Sequence, residues 1–252
     1  MFYGYGILNN HVPTLKATAM RSGAAVSSLL TSLYAVYKGE SNANDSLGVY
    51  NGTAQGGLTY TAGKSGNAFD FNGTTAYVNI GDVMDVGTSS WSYSCWFNSN
   101  NLTGYRQIIS KSYAAASNGR WWMQTYNNKI QFNFARELSS VIEVESTTTI
   151  STNTWYHLVC IIDRSDKLKV YINGNLETLI SLSATNDLTP YTATNYDSIA
   201  PLRFGAYTAS DSVTALPTFS GKIDAIHIWN RVLTQLEITA LYNLGNGLQY
   251  PF

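Results

Sequence analysis

Short segments of alternating apolar and polar residues, separated by polar turns, run through most of the chain. Leu168, Val170 and Ile172 form one such segment. The dipeptide Asn173-Gly174 follows it directly. Because successive side chains of a strand point to opposite faces, the alternation predicts a half-buried β-strand. Asn-Gly favours the tight type I′ turn between antiparallel strands, so the segment is predicted to begin a β-hairpin.

Residues 121–126 and 130–134 predict a second hairpin, joined by an Asn-Asn dipeptide. Strand alternation directs Trp121 and Met123 towards a core, and it directs the side chains between them to the opposite face. Several such segments with turns between them are typical of a β-sandwich.

One helix is predicted near the C-terminus. Thr234 and Glu237 have the spacing of a capping box, in which the side chain of each residue binds the backbone N–H of the other. Ile238 and Leu241 supply an apolar stripe, and Gly245 is placed to end the helix.

Residues 1–33 differ from the rest of the chain because they show no clear period. We expect an N-terminal arm or assembly segment there, followed by one sandwich domain over 34–252. The arm carries many apolar side chains, which would make a free tail prone to aggregation, so it is expected to contact a partner. No segment is long enough to span a bilayer, and no signal peptide is recognised.

Composition and charge narrow the classes of function. Of the 252 residues, 44% are hydrophobic and only 12% are charged, and the formal net charge is −1. This apolar content excludes a disordered chain, and the lack of a basic stripe argues against nucleic acid or an anionic membrane as a partner. Cys95 and Cys160 lie in apolar strand patterns and are expected to be buried and reduced.

A series of motifs in a fixed order carries a wider resemblance. Its members are Leu33-Tyr34, Asn51-Gly52-Thr53, Phe69-Asp70-Phe71-Asn72-Gly73, Trp91-Ser92-Tyr93-Ser94-Cys95-Trp96-Phe97, Trp155-Tyr156-His157-Leu158-Val159 and Ser220-Gly221-Lys222-Ile223-Asp224. Over residues 33–245 the series resembles the laminin-G-like, concanavalin A-like jelly-roll family. The resemblance implies an all-β, two-sheet antiparallel jelly-roll sandwich, a carbohydrate- or protein-binding role, and often a structural calcium ion (Ca2+).

The closing segment 248–252 is similar to bacteriophage members of that family. The resemblance implies a non-enzymatic virion protein, such as a head fibre, capsid decoration or tail-associated protein, assembled in the host cytoplasm. Its arm would bind other virion proteins, and a homo-oligomer is expected. The alternative is a stand-alone lectin-like domain that binds carbohydrate.

Strand alternation also predicts a ligand face. Trp96, Trp122, Gln124 and Asn133 all point away from the predicted core. Exposed aromatic rings among amides suit the faces and hydroxyl groups of sugars, so these four residues are the predicted glycan site. The alternative is that loops or a neighbouring subunit cover the tryptophans.

Two acidic residues are predicted metal ligands. Asp45 lies in a polar loop after the first predicted strand, and Asp224 begins the last long strand. Because the first and last strands of a jelly roll are commonly neighbours, the two carboxylates are expected to share a structural calcium ion. The alternative is that Asp45 begins an Asx turn and that Asp224 accepts hydrogen bonds from backbone amides.

Glu143 and Glu145 alternate on one predicted strand. Side chains two residues apart on a strand are separated by about 6–7 Å, which suits glycoside hydrolysis. Their apolar neighbours instead favour a solvent-facing edge strand, and no third acid completes a catalytic pattern. We therefore predict no catalytic residues, and a glycosidase-like enzyme is the least favoured alternative.

Overall fold

The computed structural model describes residues 24–112, 119–135, 141–209 and 214–252. Within these ranges the protein is a sandwich of two antiparallel sheets with one short helix near the C-terminus. This confirms the predicted fold class. No helix in the described ranges is long and apolar enough to cross a membrane.

Sheet I contains eight strands, all paired antiparallel. In spatial order they are β13 (Asn175–Leu176), β12 (Leu168–Ile172), β11 (Tyr156–Ile162), β6 (Trp91–Ser99), β18 (Ser220–Trp229), β4 (Asn67–Asn72) and β3 (Thr59–Ala62), with β1 (Leu33–Tyr37) also beside β18. β1 and β4 share one side of β18, because β1 pairs with its C-terminal half and β4 with its N-terminal half.

Sheet II also contains eight antiparallel strands. Their spatial order is β14 (Leu179–Ser181), β10 (Val141–Ser146), β9 (Lys129–Ala135), β8 (Arg120–Tyr126), β7 (Tyr105–Lys111), β15 (Leu202–Phe204), β5 (Tyr77–Gly81) and β2 (Thr53–Gln55). Two short strands form a separate pair beside it, β16 (Ala206–Thr208) and β17 (Ala215–Pro217).

Aromatic rings and aliphatic side chains fill the space between the sheets. The ring of Tyr93 in β6 lies 4.1 Å from that of Trp121 in β8, and this contact joins the two sheets. Met123 is in the same core, as the alternation predicts. Cys95 and Cys160 are buried there with free thiols, which confirms the expectation for both.

Both predicted hairpin turns are present. Asn173 and Gly174 follow β12 with φ of +52° and +78°, and Asn127 and Asn128 join β8 to β9 with φ of +45° and +68°. Left-handed conformations at both central positions are what a type I′ turn requires. The partner strand β13 is only two residues long, because the chain then passes to sheet II as β14.

The predicted capping box is confirmed at the N-terminus of α1 (Gln235–Tyr242). The Thr234 side chain accepts a hydrogen bond from the Glu237 backbone N–H, and Glu237 Oε2 accepts from the Thr234 backbone N–H at 2.8 Å. The helix ends before Gly245, because Asn243 already takes a left-handed C-cap conformation with φ of +47°.

A second apolar cluster covers the outer face of sheet I. It joins Trp229 of β18 and Ile161 of β11 to Ile238 and Leu241 of α1, and Leu29 is fully buried within it. The packed domain therefore includes residues 24–33, which the sequence assigns to the arm. Residues 1–23, the remainder of the predicted arm, lie outside the described ranges.

A bulge in β18 changes which side chains face outward. The register shifts between Asp224 and His227, and Ala225 within the bulge has φ of +49°. An extra residue reverses the alternation of a strand, so Asp224 and His227 share one face although they are three positions apart. They lie opposite Trp96 and Ser94, which are on the outer face of β6.

Candidate functional site

A groove of about 380 Å³ lies on the face of sheet II that points away from sheet I. The alternation of β8 explains its floor, since Trp121 and Met123 enter the core and the residues between them face the groove. The sheet II groove is lined by Tyr105, Gln107, Ser112, Arg120, Trp122, Gln124, Val141, Glu143 and Tyr207. Aromatic rings, amides and charged groups thus converge in one cleft.

Side-chain amides form a continuous ladder across four strands of the groove floor. Gln107 Nε2 donates to Gln124 Oε1 at 2.6 Å, and Gln124 Nε2 donates to Gln131 Oε1 at 2.8 Å. Gln131 Nε2 donates in turn to Glu145 Oε2 at 2.9 Å. The three glutamines are buried, so each amide fixes the orientation of the next before a ligand binds.

A second set of contacts runs across the same strands beside this amide ladder. The Trp122 indole N–H donates to the Asn133 amide oxygen at 3.0 Å, and the Asn133 amide nitrogen donates to Glu143 Oε1 at 3.1 Å, in the amide orientation that satisfies both neighbours. Asn133 is fully buried, whereas the Trp122 ring lines the groove. The indole is therefore held by its polar edge.

Charge is distributed unevenly over the groove. Glu143 and Glu145 lie on β10, and burial followed by the repulsion of Glu145 raises the pKa of Glu143 above its ordinary value. Arg120 lies on β8, separated from β10 by β9, and its guanidinium carbon is 5.4 Å from the centroid of the Trp122 ring. The groove therefore has an acidic wall and one cationic end.

The structure brings together three of the four predicted ligand-binding residues. Trp122 and Gln124 line the sheet II groove, and Asn133 lies beneath it, bound to the Trp122 indole. Trp96 lies in β6 of sheet I, so the prediction that it shares their face is wrong. Alternation along one strand identifies its outward side, but it does not identify the sheet to which that strand belongs.

Trp96 is also covered. It faces outward from sheet I as predicted, yet only 3% of its surface is exposed. The Lys64 ammonium lies 4.6 Å from its ring centroid, and the ring of Tyr242 from α1 stacks on it at 5.8 Å. A Cβ atom placed on Gly247 would be only 3.0 Å from its indole nitrogen. The predicted alternative, a tryptophan covered by other parts of the chain, therefore describes Trp96.

The carboxylate of Asp45 is fully used by the backbone around it. Oδ1 accepts hydrogen bonds from the N–H groups of Val36 at 2.9 Å and Leu47 at 3.0 Å. Oδ2 accepts from the N–H groups of Val49 and Tyr50, both at 3.1 Å. A carboxylate offers about four acceptor directions, so these four donors leave none for a cation.

Asp224 is bound in a similar way on the outer face of sheet I. Its Oδ2 accepts from the backbone N–H groups of Lys64 at 2.8 Å and Ser65 at 3.0 Å, and Oδ1 accepts from Gln249 Nε2 at 3.3 Å. Burial raises the pKa of Asp224 to about 7, against the opposing effect of those backbone N–H groups. The carboxyl group secures the 63–66 turn and the C-terminal tail to the sheet.

These contacts do not fit a calcium ion shared by Asp45 and Asp224. Calcium needs oxygen ligands, and both carboxylates face N–H donors instead. Within the described ranges no group of three or more histidine, cysteine or acidic side chains is arranged to hold a metal ion. The alternative roles, a turn at Asp45 and amide binding at Asp224, match the structure.

Residues 72–239, more than half of the chain, match the model of the concanavalin A-like lectin/glucanases superfamily. The protein belongs to this superfamily. Among curated proteins no sequence matches it.

Solved structures share the fold of this superfamily member. Domain 4 of a GH43 extracellular arabinanase from Geobacillus stearothermophilus, in complex with arabinotriose, is 24% identical with a TM-score of 0.62, over 82% of this chain and 96% of that one. The binding domain of Paraclostridial Mosquitocidal Protein 1 is 16% identical with a TM-score of 0.67, over 85% of this chain and 52% of that one. A botulinum neurotoxin type C structure is 16% identical with a TM-score of 0.62, over 86% and 52%. The chain spans about half the length of the two toxin structures.

The superfamily name covers both lectins and glucanases, so the roles of Glu143, which lines the groove, and of Glu145 on the same strand bear on the function. The prediction that Glu143 and Glu145 lie on a solvent-facing edge is wrong, because β10 is paired with β9 on one side and β14 on the other. Both side chains are half-buried, and each accepts a hydrogen bond from an amide, Asn133 for Glu143 and Gln131 for Glu145. They therefore extend the polar floor of the groove.

Sequence reasoning missed several groove residues. Arg120 continues the alternation of Trp122 and Gln124, so the same signal identifies it. Gln107 gives no such signal, because a bulge between Gln107 and Ile109 breaks the alternation of β7. Tyr207 belongs to the short strand β16, which alternation could not assign to this face.

Proposed function

We propose that this protein is a non-catalytic carbohydrate-binding domain and that an oligosaccharide binds in the sheet II groove. The observation that carries the proposal is the Trp122 ring beside a buried ladder of amides. An aromatic ring packs against the apolar face of a sugar, and amides donate to and accept from its hydroxyl groups. The groove offers both within one cleft.

The groove is already ordered for such a ligand. Hydrogen bonds fix the amides of Gln107, Gln124 and Gln131, and Asn133 fixes the indole of Trp122. Side chains held in one orientation lose little entropy when a ligand binds, so more of the contact energy contributes to affinity. Tyr105 is 55% exposed at the rim and adds a second ring that a sugar can contact.

The glutamates support binding rather than hydrolysis. In this proposal Glu143 and Glu145 act as acceptors for sugar hydroxyl groups, because each already holds an amide of the floor in place. The described histidines, His157 and His227, are buried in sheet I and therefore lie outside the groove. Incubation with oligosaccharides should release no reducing sugar, and release that is lost in Glu143→Gln would overturn the non-catalytic role.

The structural neighbours are consistent with this role. One is a domain solved in complex with arabinotriose, another is a binding domain, and a third belongs to a neurotoxin whose cell entry depends upon interaction with two ganglioside molecules. Those ligands belong to those proteins. For this chain they support only the choice of glycans as the first class of ligand to test.

A glycan array followed by calorimetry tests the proposal. The wild type should bind at least one oligosaccharide, and Trp122→Ala should weaken that binding by about tenfold or more, because the stacking surface is lost. Gln124→Ala should weaken it too, because Gln107 loses its acceptor and Gln131 its donor. Trp96→Phe is the matched control and should bind normally. An array without any bound glycan, or equal binding by Trp122→Ala, would refute the groove as the site.

We further propose a virion as the setting of this domain, with the resemblance of 248–252 as support. Residues 1–23 would then attach it to other virion proteins, and self-association of the chain is part of the same proposal. Mass spectrometry of purified particles tests the location, and light scattering tests self-association. Absence of the protein from particles would leave the alternative, a stand-alone lectin-like domain.

A further inference from the structure

We propose that the sheet II groove takes a carboxylate-bearing oligosaccharide, of the uronic acid class, and that Arg120 binds the sugar carboxylate. The inference rests on the proposed function, because it names the class of glycan for the same groove. A separate observation supports it: Arg120, a buried arginine at the end of the groove, has no anionic partner among the described residues.

Arg120 carries a charge that no described residue neutralises. Its side chain is only 6% exposed, and its buried Nε has no hydrogen-bond partner among the residues that the structure describes. None of the ion pairs between described residues includes it. The centroid of the Trp122 ring lies 5.4 Å from its guanidinium carbon. A buried guanidinium without an anion is unfavourable, and burial lowers its pKa accordingly.

Two other arginines of the chain have oxygen acceptors, although Nε and NH1 of Arg164 also lack a partner among the described residues. Arg231 binds the Glu237 carboxylate at 2.7 Å, and Arg164 donates from NH2 to the Thr194 carbonyl oxygen at 2.8 Å. Arg120 has no corresponding acceptor within the described part of the chain, although it lines the sheet II groove. The missing acceptor is therefore expected to come from a ligand.

The position of Arg120 determines where a carboxylate fits. Arg120 and the two groove glutamates lie on strands separated by β9, so two strand spacings, about 9–10 Å, divide them. A ligand carboxylate at Arg120 is therefore held away from Glu143 and Glu145. The uncharged ring of the sugar can then lie against Trp122, with its hydroxyl groups towards the amide ladder.

The guanidinium group also favours one anion over others. Its planar fork matches the two oxygens of a carboxylate, and such paired contacts are stronger than single neutral hydrogen bonds. A sulfated sugar carries the same sign of charge on a tetrahedral group. Carboxylate and sulfate are therefore separate arms of the test.

The experiment compares uronic acid oligosaccharides, namely galacturonate, glucuronate and guluronate oligomers, with their carboxyl-reduced neutral forms and with sulfated neutral oligomers. Calorimetry on the full chain should give about tenfold or tighter binding for at least one uronate than for its reduced form. Arg120→Gln should remove this preference, and Arg120→Lys should keep part of it. Added salt should weaken the preference as well.

The controls separate this inference from the proposed function. The melting temperature of Arg120→Gln should equal or exceed that of the wild type, because an unneutralised buried charge is removed. Binding of neutral oligosaccharides with no uronate preference would overturn the inference and leave the proposed function standing. Stronger binding of the sulfated forms, or a uronate preference that survives Arg120→Gln, would overturn it too. Binding of no glycan at all would refute both.

Discussion

The guanidinium of Arg231 binds both carboxylate oxygens of Glu237, at 2.7 Å to Oε1 and 2.9 Å to Oε2. Arg231 also donates to the backbone oxygens of Ser28 and Thr31, and the Ser28 hydroxyl donates to Glu237. This pair therefore connects the 24–33 segment, the end of β18 and the start of α1. Although burial raises the pKa of Glu237, its hydrogen bonds from Arg231, Ser28 and Thr234 lower it to about 2.

Glu237→Gln should lower the free energy of unfolding by about 3 kcal/mol at neutral pH, because Arg231 keeps its charge and loses its partner. In the wild type, the stabilisation by the Glu237 carboxylate should be present above pH 4.5 and lost as the pH falls towards 2, since the pKa of Glu237 is lower in the folded chain than in the unfolded chain. Denaturant unfolding measures both effects. Glu177→Gln is the control, because Glu177 accepts only from neutral donors near the surface, and an equal loss in that variant would contradict the role of the pair.

Leu29 and Leu30 provide a matched test of where the domain begins. Leu29 is fully buried against sheet I, whereas Leu30 is 54% exposed. Leu29→Ala should cost about 2–4 kcal/mol of unfolding free energy, and Leu30→Ala should stay within about 0.5 kcal/mol of the wild type. Removal of residues 2–30 should destabilise the domain for the same reason. Equal stabilities of the two leucine variants would restore the predicted boundary at 33.

Acid should destabilise the outer face of sheet I through its two buried histidines. Burial lowers the pKa of His157 to about 3 and that of His227 to about 4, from an ordinary value of 6.5. As the pH falls from 6.5 towards 5, the two histidines of the unfolded chain bind up to two more protons than those of the folded chain, so stability falls as the pH falls. Asp224 has the opposite effect. Its pKa is higher in the folded chain, at about 7, than in the unfolded chain, so the folded chain binds one more proton at this group.

The net slope from these three groups is about 1.2 kcal/mol per pH unit between pH 4.5 and 5.5, and it falls towards zero at pH 6.5. His227→Phe should remove that slope, since the one remaining buried histidine is then offset by Asp224. Denaturant midpoints between pH 4.5 and 7.5 measure the difference. A variant with the same pH profile as the wild type would show that His227 does not carry the effect.

Asp45 should stabilise the loop through backbone amides rather than through a metal. Asp45→Asn places an amide nitrogen against N–H donors and should cost about 2 kcal/mol, whereas Asp187→Asn at an exposed turn should cost little. A chelator or added calcium should leave the melting temperature of the wild type unchanged. A calcium-dependent rise in melting temperature that is lost in Asp45→Asn and Asp224→Asn would restore the shared ion.

Local patterns were sufficient for several strands and turns of this fold. The alternation at 168–172 and the Asn173-Gly174 dipeptide place a strand and a turn correctly, because both depend on neighbouring residues only. The capping box at Thr234 and Glu237 is equally local. The burial of Leu29 depends instead on Trp229 and Ile238, more than 190 residues away, and no local period reveals it.

The site was predicted in part for a similar reason. Trp122, Gln124 and Asn133 share a hairpin, so alternation and one turn place them together. The prediction for Trp96 was wrong because alternation gives the outward face of a strand but not the sheet to which the strand belongs. The residues that cover Trp96 come from the distant α1 and the C-terminal tail. Asp45 and Asp224 were chosen for their charge, but hydrogen-bond direction decides what a carboxylate binds.

Direct mapping of a bound glycan is the sharpest test of the binding groove. The side-chain amide groups of Gln107, Gln124, Gln131 and Asn133 can be followed by nuclear magnetic resonance during titration with an oligosaccharide from the array. We expect shifts of these amides and of the Trp122 indole N–H, with little change at the Trp96 indole. Shifts confined to Trp96 and the outer face of sheet I, with the sheet II amides unchanged, would contradict the groove as the binding site.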